Sequence, residues 1–128
     1  MNVQYPLRYM IEWKKKLAMA ESSNITRTLG MLGLAMRAGK VVIGTEQVIA
    51  YIQKNKVKLV LVSGNASEGT KKKIRFKCEY YKTRIMELPV DTDELGRILG
   101  KTYAPAVIGI TDENFSNTIL KIMDSENA

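Results

Sequence analysis

The sequence contains no histidine. That removes the commonest general base at neutral pH and the commonest transition-metal ligand. A Ser–His–Asp triad and a Cys–His nucleophilic pair are both excluded. Cysteine is nearly absent as well, since Cys78 stands alone. No internal disulfide can form, and one thiol cannot build a zinc knuckle. A chain without disulfides fits a reducing compartment, and a cytoplasmic location is expected. Long apolar runs are also missing. None approaches the ~18 residues that a membrane-spanning helix needs. Near the N-terminus the basic cluster Lys14, Lys15 and Lys16 follows the apolar residues instead of preceding them, the reverse of a signal peptide. No glycine-rich phosphate loop leads into Lys-Ser or Lys-Thr, and no G-x-G-x-x-G occurs. The expectation is a protein with no catalytic centre, no cofactor, no metal and no membrane span.

What is present is an ordinary globular balance. The chain has 128 residues, of which 45% are hydrophobic and 26% charged. That is enough for one domain with a core of its own. The formal net charge is +7, and it is unevenly spread. Residues 25–66 carry six basic and one acidic group, and residues 67–84 carry seven and two. Residues 85–128 reverse the sign, with three basic and eight acidic groups. Such a chain folds into a dipole whose positive pole attracts polyanions.

Residues 1–23 read as an extension, loosely attached, ahead of a single domain over 24–124. Pro6 disfavours a helix through residue 5, and Ser22, Ser23 and Asn24 supply break and cap chemistry. From Asn24 the pattern is regular. Ile25, Leu29, Leu32 and Met36 recur at helical spacing, capped by Asn24 or Thr26 and stopped by Gly39. Val41-Val42-Ile43 is a short strand ended by Gly44, and Thr45–Asn55 is a second helix. Lys58–Ser63 is a continuous apolar run, which predicts a strand covered on both faces. Ser67 caps a basic helix running to about Tyr81. Arg84–Leu88 is a strand, Asp91–Leu99 a helix opened by acids, Ala106–Ile110 a strand and Asp112–Met123 a final helix. This alternation predicts an α/β fold, a sheet sandwiched between helices.

Three features suit a polyanion. At Gly44-Thr45-Glu46-Gln47 a glycine allows close backbone approach, the first helix amides point outward, and Gln47 both donates and accepts. Local sequence alone fits a plain helix cap with an acidic first turn better than a binding site. The second feature is a basic set: Arg37 and Lys40, then Lys71, Lys72, Lys73, Arg75 and Lys77. Each phosphate contact by such a cation adds salt-dependent affinity. The third is the loop Gly100-Lys101-Thr102-Tyr103-Ala104-Pro105, where a cation and a ring precede a strand. The ring can stack on an unpaired base or pack partly into the core. Asp91, Asp93 and Glu94 cluster, and helix capping explains them better than a metal. Cys78 reads as a packed residue more readily than as a reactive thiol, despite Lys77, Lys82 and Arg84 nearby.

Four stretches, in order and with matching spacing, resemble a known family: Leu34-Ala35-Met36-Arg37-Ala38-Gly39-Lys40, Gly44-Thr45-Glu46-Gln47, Val57-Lys58-Leu59-Val60-Leu61-Val62 and Glu94-Leu95-Gly96-Arg97-Ile98-Leu99-Gly100-Lys101. Together they resemble the small large-subunit ribosomal proteins that bind kink-turn RNA, the "seven-Ae" family with its eukaryotic "thirty" relative, and most nearly its bacterial YlxQ-like branch. The resemblance implies a three-layer α/β/α sandwich with a four-stranded mixed sheet. It implies binding to a kink-turn, an RNA bend built on sheared G·A pairs. The family typically has Asn, then Glu, then a Lys three positions on after the glycine; Glu46, Gln47 and Ala50 stand at those places here. An anion thus replaces an amide and a cation is lost. The family's second contact is an apolar or aromatic side chain in the loop before the last strand, the place of Tyr103. The RNA-binding set expected is Arg37, Lys40, Gly44, Thr45, Glu46, Gln47, Lys101, Tyr103 and Ala104, acting on structured RNA, possibly ribosomal. The alternative is a protein-interaction adaptor whose basic helix meets an acidic partner, with RNA incidental. An enzyme acting on nucleic acid is disfavoured by the missing histidine and the lack of a convincing carboxylate pair.

Overall fold

A computed structural model describes residues 23–124. The extension expected over residues 1–23 therefore lies, apart from Ser23, outside the described residues. Helix α1 covers residues 23–37. Asn24 and Thr26, expected as caps, sit inside it, and Asn24 is buried. The apolar spacing placed the helix correctly, but Asn24 and Thr26 are helical residues and not its caps.

The chain then alternates as β1 (Val41–Ile43), α2 (Thr45–Gln53), β2 (Leu59–Ser63), α3 (Glu68–Tyr81), β3 (Arg84–Leu88), α4 (Thr92–Ile98), β4 (Val107–Ile110) and α5 (Glu113–Asp124). The strands form one sheet in the order β1-β4-β2-β3. β4 pairs antiparallel with both β1 and β2, while β2 and β3 run parallel. The sheet is therefore mixed, as expected.

Strand periodicity sends alternate side chains to opposite faces. Leu59 and Leu61 of β2 join Leu29, Leu32, Leu95, Leu99 and Ile119 in one core, so α1, α4 and α5 cover that face. Val60 and Val62 join Val48, Ile49, Ile52, Ile74 and Cys78 in the other, under α2 and α3. All five residues of β2 are buried. This is the three-layer α/β/α sandwich. Each fully buried Leu, Ile or Val contributes about 1.5–3 kcal/mol of transfer free energy, so β2 and the equally buried β4 tolerate a new polar residue poorly. Among the described residues no helix is long and apolar enough to cross a membrane.

The topology sorts the loops. Leu88 of β3 lies beside Ser63 of β2, and Ile43 of β1 lies beside Ile108 of β4. The C-terminal ends of β1, β2 and β3 thus share one sheet edge with the N-terminal end of β4. Helices α2, α3 and α4 all start from that edge.

Candidate nucleic-acid interface

The chain leaves β1 through Gly44, whose φ of 101° and ψ of 144° lie where L side chains are strained. The Gly44 N–H donates to the Val107 carbonyl at 2.9 Å, and its own carbonyl accepts from Val48 N–H at 2.9 Å. The first bond fastens the β1–α2 junction to the start of β4. The second begins the helix. No side chain caps α2. The contrast with its neighbours is informative. Ser67 Oγ accepts from Thr70 N–H at α3, Asp91 Oδ1 from Glu94 N–H at α4, and Asp112 Oδ2 from Phe115 N–H ahead of α5. Of α2 to α5, α2 alone leaves its first amides, at Thr45, Glu46 and Gln47, without a side-chain acceptor. Those amides and the positive end of the helix dipole are open to an incoming anion. Asp91 caps α4, with Asp93 and Glu94 in its first turn, as the sequence suggested.

Tyr103 arrives at the same edge by a different route. α4 closes with Gly100 N–H on Arg97 O at 3.2 Å and Lys101 N–H on Gly96 O at 2.8 Å. The loop then runs back to Ala106, whose carbonyl accepts from Ser63 N–H at 2.9 Å. Tyr103 stands four residues before the Val107 that holds Gly44, so at most about 14 Å of extended chain lies between them. The residue is 55% exposed. The ring is thus a surface group and not a core filler, although the two readings were evenly matched in the sequence. Ala104 beside it is exposed and Pro105 is buried.

Gly96 sets the height of this loop. A Cβ built on it would lie 2.5 Å from the Tyr103 carbonyl oxygen and 3.4 Å from Pro105 Cδ. Only glycine lets α4 and the loop backbone come this close. Gly96 is therefore a positioning residue that the sequence reading quoted without giving it a role. The available signal was a glycine inside a short helix, where it costs about 1 kcal/mol against alanine.

The basic set divides in space. Lys40 accepts a bond from Thr111 N–H at 3.0 Å through its carbonyl, at the end of the sheet opposite Gly44. Arg37 precedes it there, and both are exposed. Four residues of extended chain put Lys40 about 13 Å from Gly44. Arg37 and Lys40 thus enter β1 at the end opposite the one where Gly44 leaves it. Lys101 lies where the loop leaves α4, two residues before the ring. The helical cations are mostly engaged. Lys71 is buried and donates to Glu87 and to the Gly64 carbonyl, each at 2.9 Å. Arg75 reaches Glu87 at 3.1 Å. The hydrogen bond from Lys71, ahead of the nearby charges of Lys71 and Arg75, holds the Glu87 carboxyl below the usual carboxylate range. Lys73 pairs with Glu46 across the α2–α3 seam. That pair softens the anion that Glu46 brings to the helix tip, and it supplies from α3 a cation that Ala50 does not supply from α2. Cys78 is buried, and burial pushes its thiol up to about 11. It is a packed residue.

The pattern of the ribosomal protein L7Ae/L30e/S12e/Gadd45 family matches residues 26–120. The chain belongs to this family. Within it, the chain is similar to the RNA-binding protein YlxQ of Enterococcus faecium, 38% identical over 101 residues that span 79% of this chain and 95% of that one. It is also similar to the RNA-binding protein YlxQ of Bacillus subtilis (strain 168), 42% identical over 94 residues covering 73% and 92% of the two chains. A solved structure of a protein of unknown function from Bacillus halodurans C superposes with a TM-score of 0.70 at 37% identity, covering 76% of this chain and 96% of that one. The L7Ae/L30e match takes in most of α1, every element from β1 to β4 and most of α5, including the Gly44 junction and the Tyr103 loop.

Proposed function

We propose that this protein binds structured RNA of the kink-turn type and stabilises its bend without catalysing a reaction. The observation that carries this is the uncapped, glycine-opened tip of α2 sharing a sheet edge with the exposed ring of Tyr103. Family membership and the RNA-binding relatives support the same reading. The amides of Thr45 to Gln47 offer donors to base edges or a phosphate, and Gln47 adds a side chain that both donates and accepts. Tyr103, with Ala104 beside it, covers an extruded base. Glu46, held by Lys73, orients the tip. Arg37, Lys40 and Lys101 serve as outlying phosphate contacts, set back from the two recognition elements. They position the RNA and do not read it.

An electrophoretic shift tests this. A kink-turn duplex is compared with a copy lacking its sheared G·A pairs. Tighter binding of the intact kink-turn is expected. Equal affinity for the two would leave only charge attraction and overturn the proposal.

A further inference from the structure

Among the described residues, four large hydrophobic side chains stand exposed: Leu34, Phe76, Tyr80 and Tyr103. Two of them, Phe76 and Tyr80, lie on α3. They are 65% and 71% exposed and one turn apart. The helix buries Lys71, Ile74 and Cys78, so Phe76 and Tyr80 ride the opposite, outermost ridge. The four-residue interval separates the two rings by about 6 Å along the axis. Tyr80 is braced edge-on by Tyr81, with ring centroids 4.8 Å apart. Tyr81 in turn packs against the core under α2 and α3. The ring is therefore held in place without being covered.

Cations flank this ridge. Lys72 is exposed and Lys77 half-buried, and neither forms an ion pair among the described residues. Lys73, on the shoulder toward α2, joins the ridge to the α2 tip through Glu46. Glu79, on the same helix, is exposed as well. Two occupants are disfavoured by charge. Residues 1–22 carry four basic and two acidic groups, the same sign as the ridge. A second copy packed ridge to ridge would set one cationic surface against another. A polyanion with flat faces fits both features, since bases stack on rings and phosphates meet lysines.

We propose that the outer ridge of α3, through Phe76 and Tyr80 with Lys72 and Lys77, binds a single-stranded RNA segment next to the folded RNA held at the α2 tip. The inference rests on the RNA-binding reading but not on its kink-turn specificity. The α2 tip reads a bend, and the α3 ridge holds the strand that leaves it.

Binding of the full chain is measured to a blunt kink-turn duplex, to the same duplex with a short oligouridine tail, and to oligouridine alone. The tail tightens binding of the unaltered protein. The double variant Phe76→Ala/Tyr80→Ala loses that gain, about fivefold or more for each ring, and keeps its affinity for the blunt duplex. Lys72→Glu, which leaves both rings in place, weakens the tail contribution and makes it less salt-dependent. Ultraviolet crosslinking joins the tail to the α3 segment. If the blunt duplex shows no preference over its G·A-less copy while the tail still adds ring-dependent affinity, this inference stands and the kink-turn reading falls. A tail that adds nothing, or a gain that survives loss of both rings, overturns the inference. So does ring-dependent capture of an acidic protein that persists after nuclease treatment while the tail has no effect.

Discussion

Replacing Gly96 by alanine places a methyl group 2.5 Å from the Tyr103 carbonyl oxygen. An ordinary contact begins near 3.4 Å, so the oxygen has to retreat by about 0.9 Å. The atom belongs to backbone, so no side-chain rotation relieves the clash. The loop is also fastened on both sides, by Lys101 N–H on Gly96 O and by Ala106 O on Ser63 N–H. Overfilling a well-packed site costs about 1–3 kcal/mol. Alanine returns about 1 kcal/mol through its higher helix propensity. The net expectation is a destabilisation of about 1 kcal/mol, seen as a fall of about 5 °C in the thermal midpoint. The effect on RNA is larger in proportion. A ring displaced by most of an ångström loses much of a stacking contact worth ~1–3 kcal/mol, so affinity for a kink-turn falls by about tenfold. Tyr103→Ala is the control. It removes the same stacking, lowering affinity by ~1–3 kcal/mol, but deletes an exposed side chain and leaves the thermal midpoint almost unchanged. Calorimetry and a binding titration on both variants decide the matter. A Gly96→Ala protein with unaltered midpoint and unaltered RNA affinity would show that the loop is not held by this contact, and the positioning role would be withdrawn.

Three further outcomes follow from the same geometry. Gly44→Ala meets no atom within 4 Å, so its cost is backbone strain alone, about 1–3 kcal/mol, measured by denaturant unfolding; a neutral result would refute the strain. Glu87 has a lowered pKa in the fold, so its ionised form contributes stability above its unfolded value, and that contribution is lost as pH falls through the folded one. Glu87→Gln should therefore flatten the acid limb of the stability curve without changing its alkaline limb. Cys78, with its thiol raised from 9.0 to about 11, should react with a thiol reagent about a hundredfold more slowly in the native state than after unfolding, and fast native labelling would contradict its burial.

The sequence by itself determined the layers. Helical spacing in Ile25 to Met36, the unbroken apolar run Leu59–Val62 and the alternation of elements were sufficient to anticipate a sheet covered on both faces. Those signals are local, because a buried strand and an amphipathic helix each write their burial into consecutive residues. The α2 tip was also legible, since a glycine ahead of a helix carries its conformational meaning with it. Several matters belonged to the tertiary structure. Local sequence could not say that Tyr103 is exposed, that Gly96 seats its loop, or that Lys73 pairs with Glu46 from another helix. Nor could it say that Lys71 and Arg75 are spent on Glu87, or that Arg37 and Lys40 sit at the far end of β1. Charge along a chain has no direction until strands are ordered and helices are packed. The order β1-β4-β2-β3 gathers one set of loops at one edge and turns the other set away. Which cations are free to meet a phosphate is settled only by the carboxylates that the fold brings beside them.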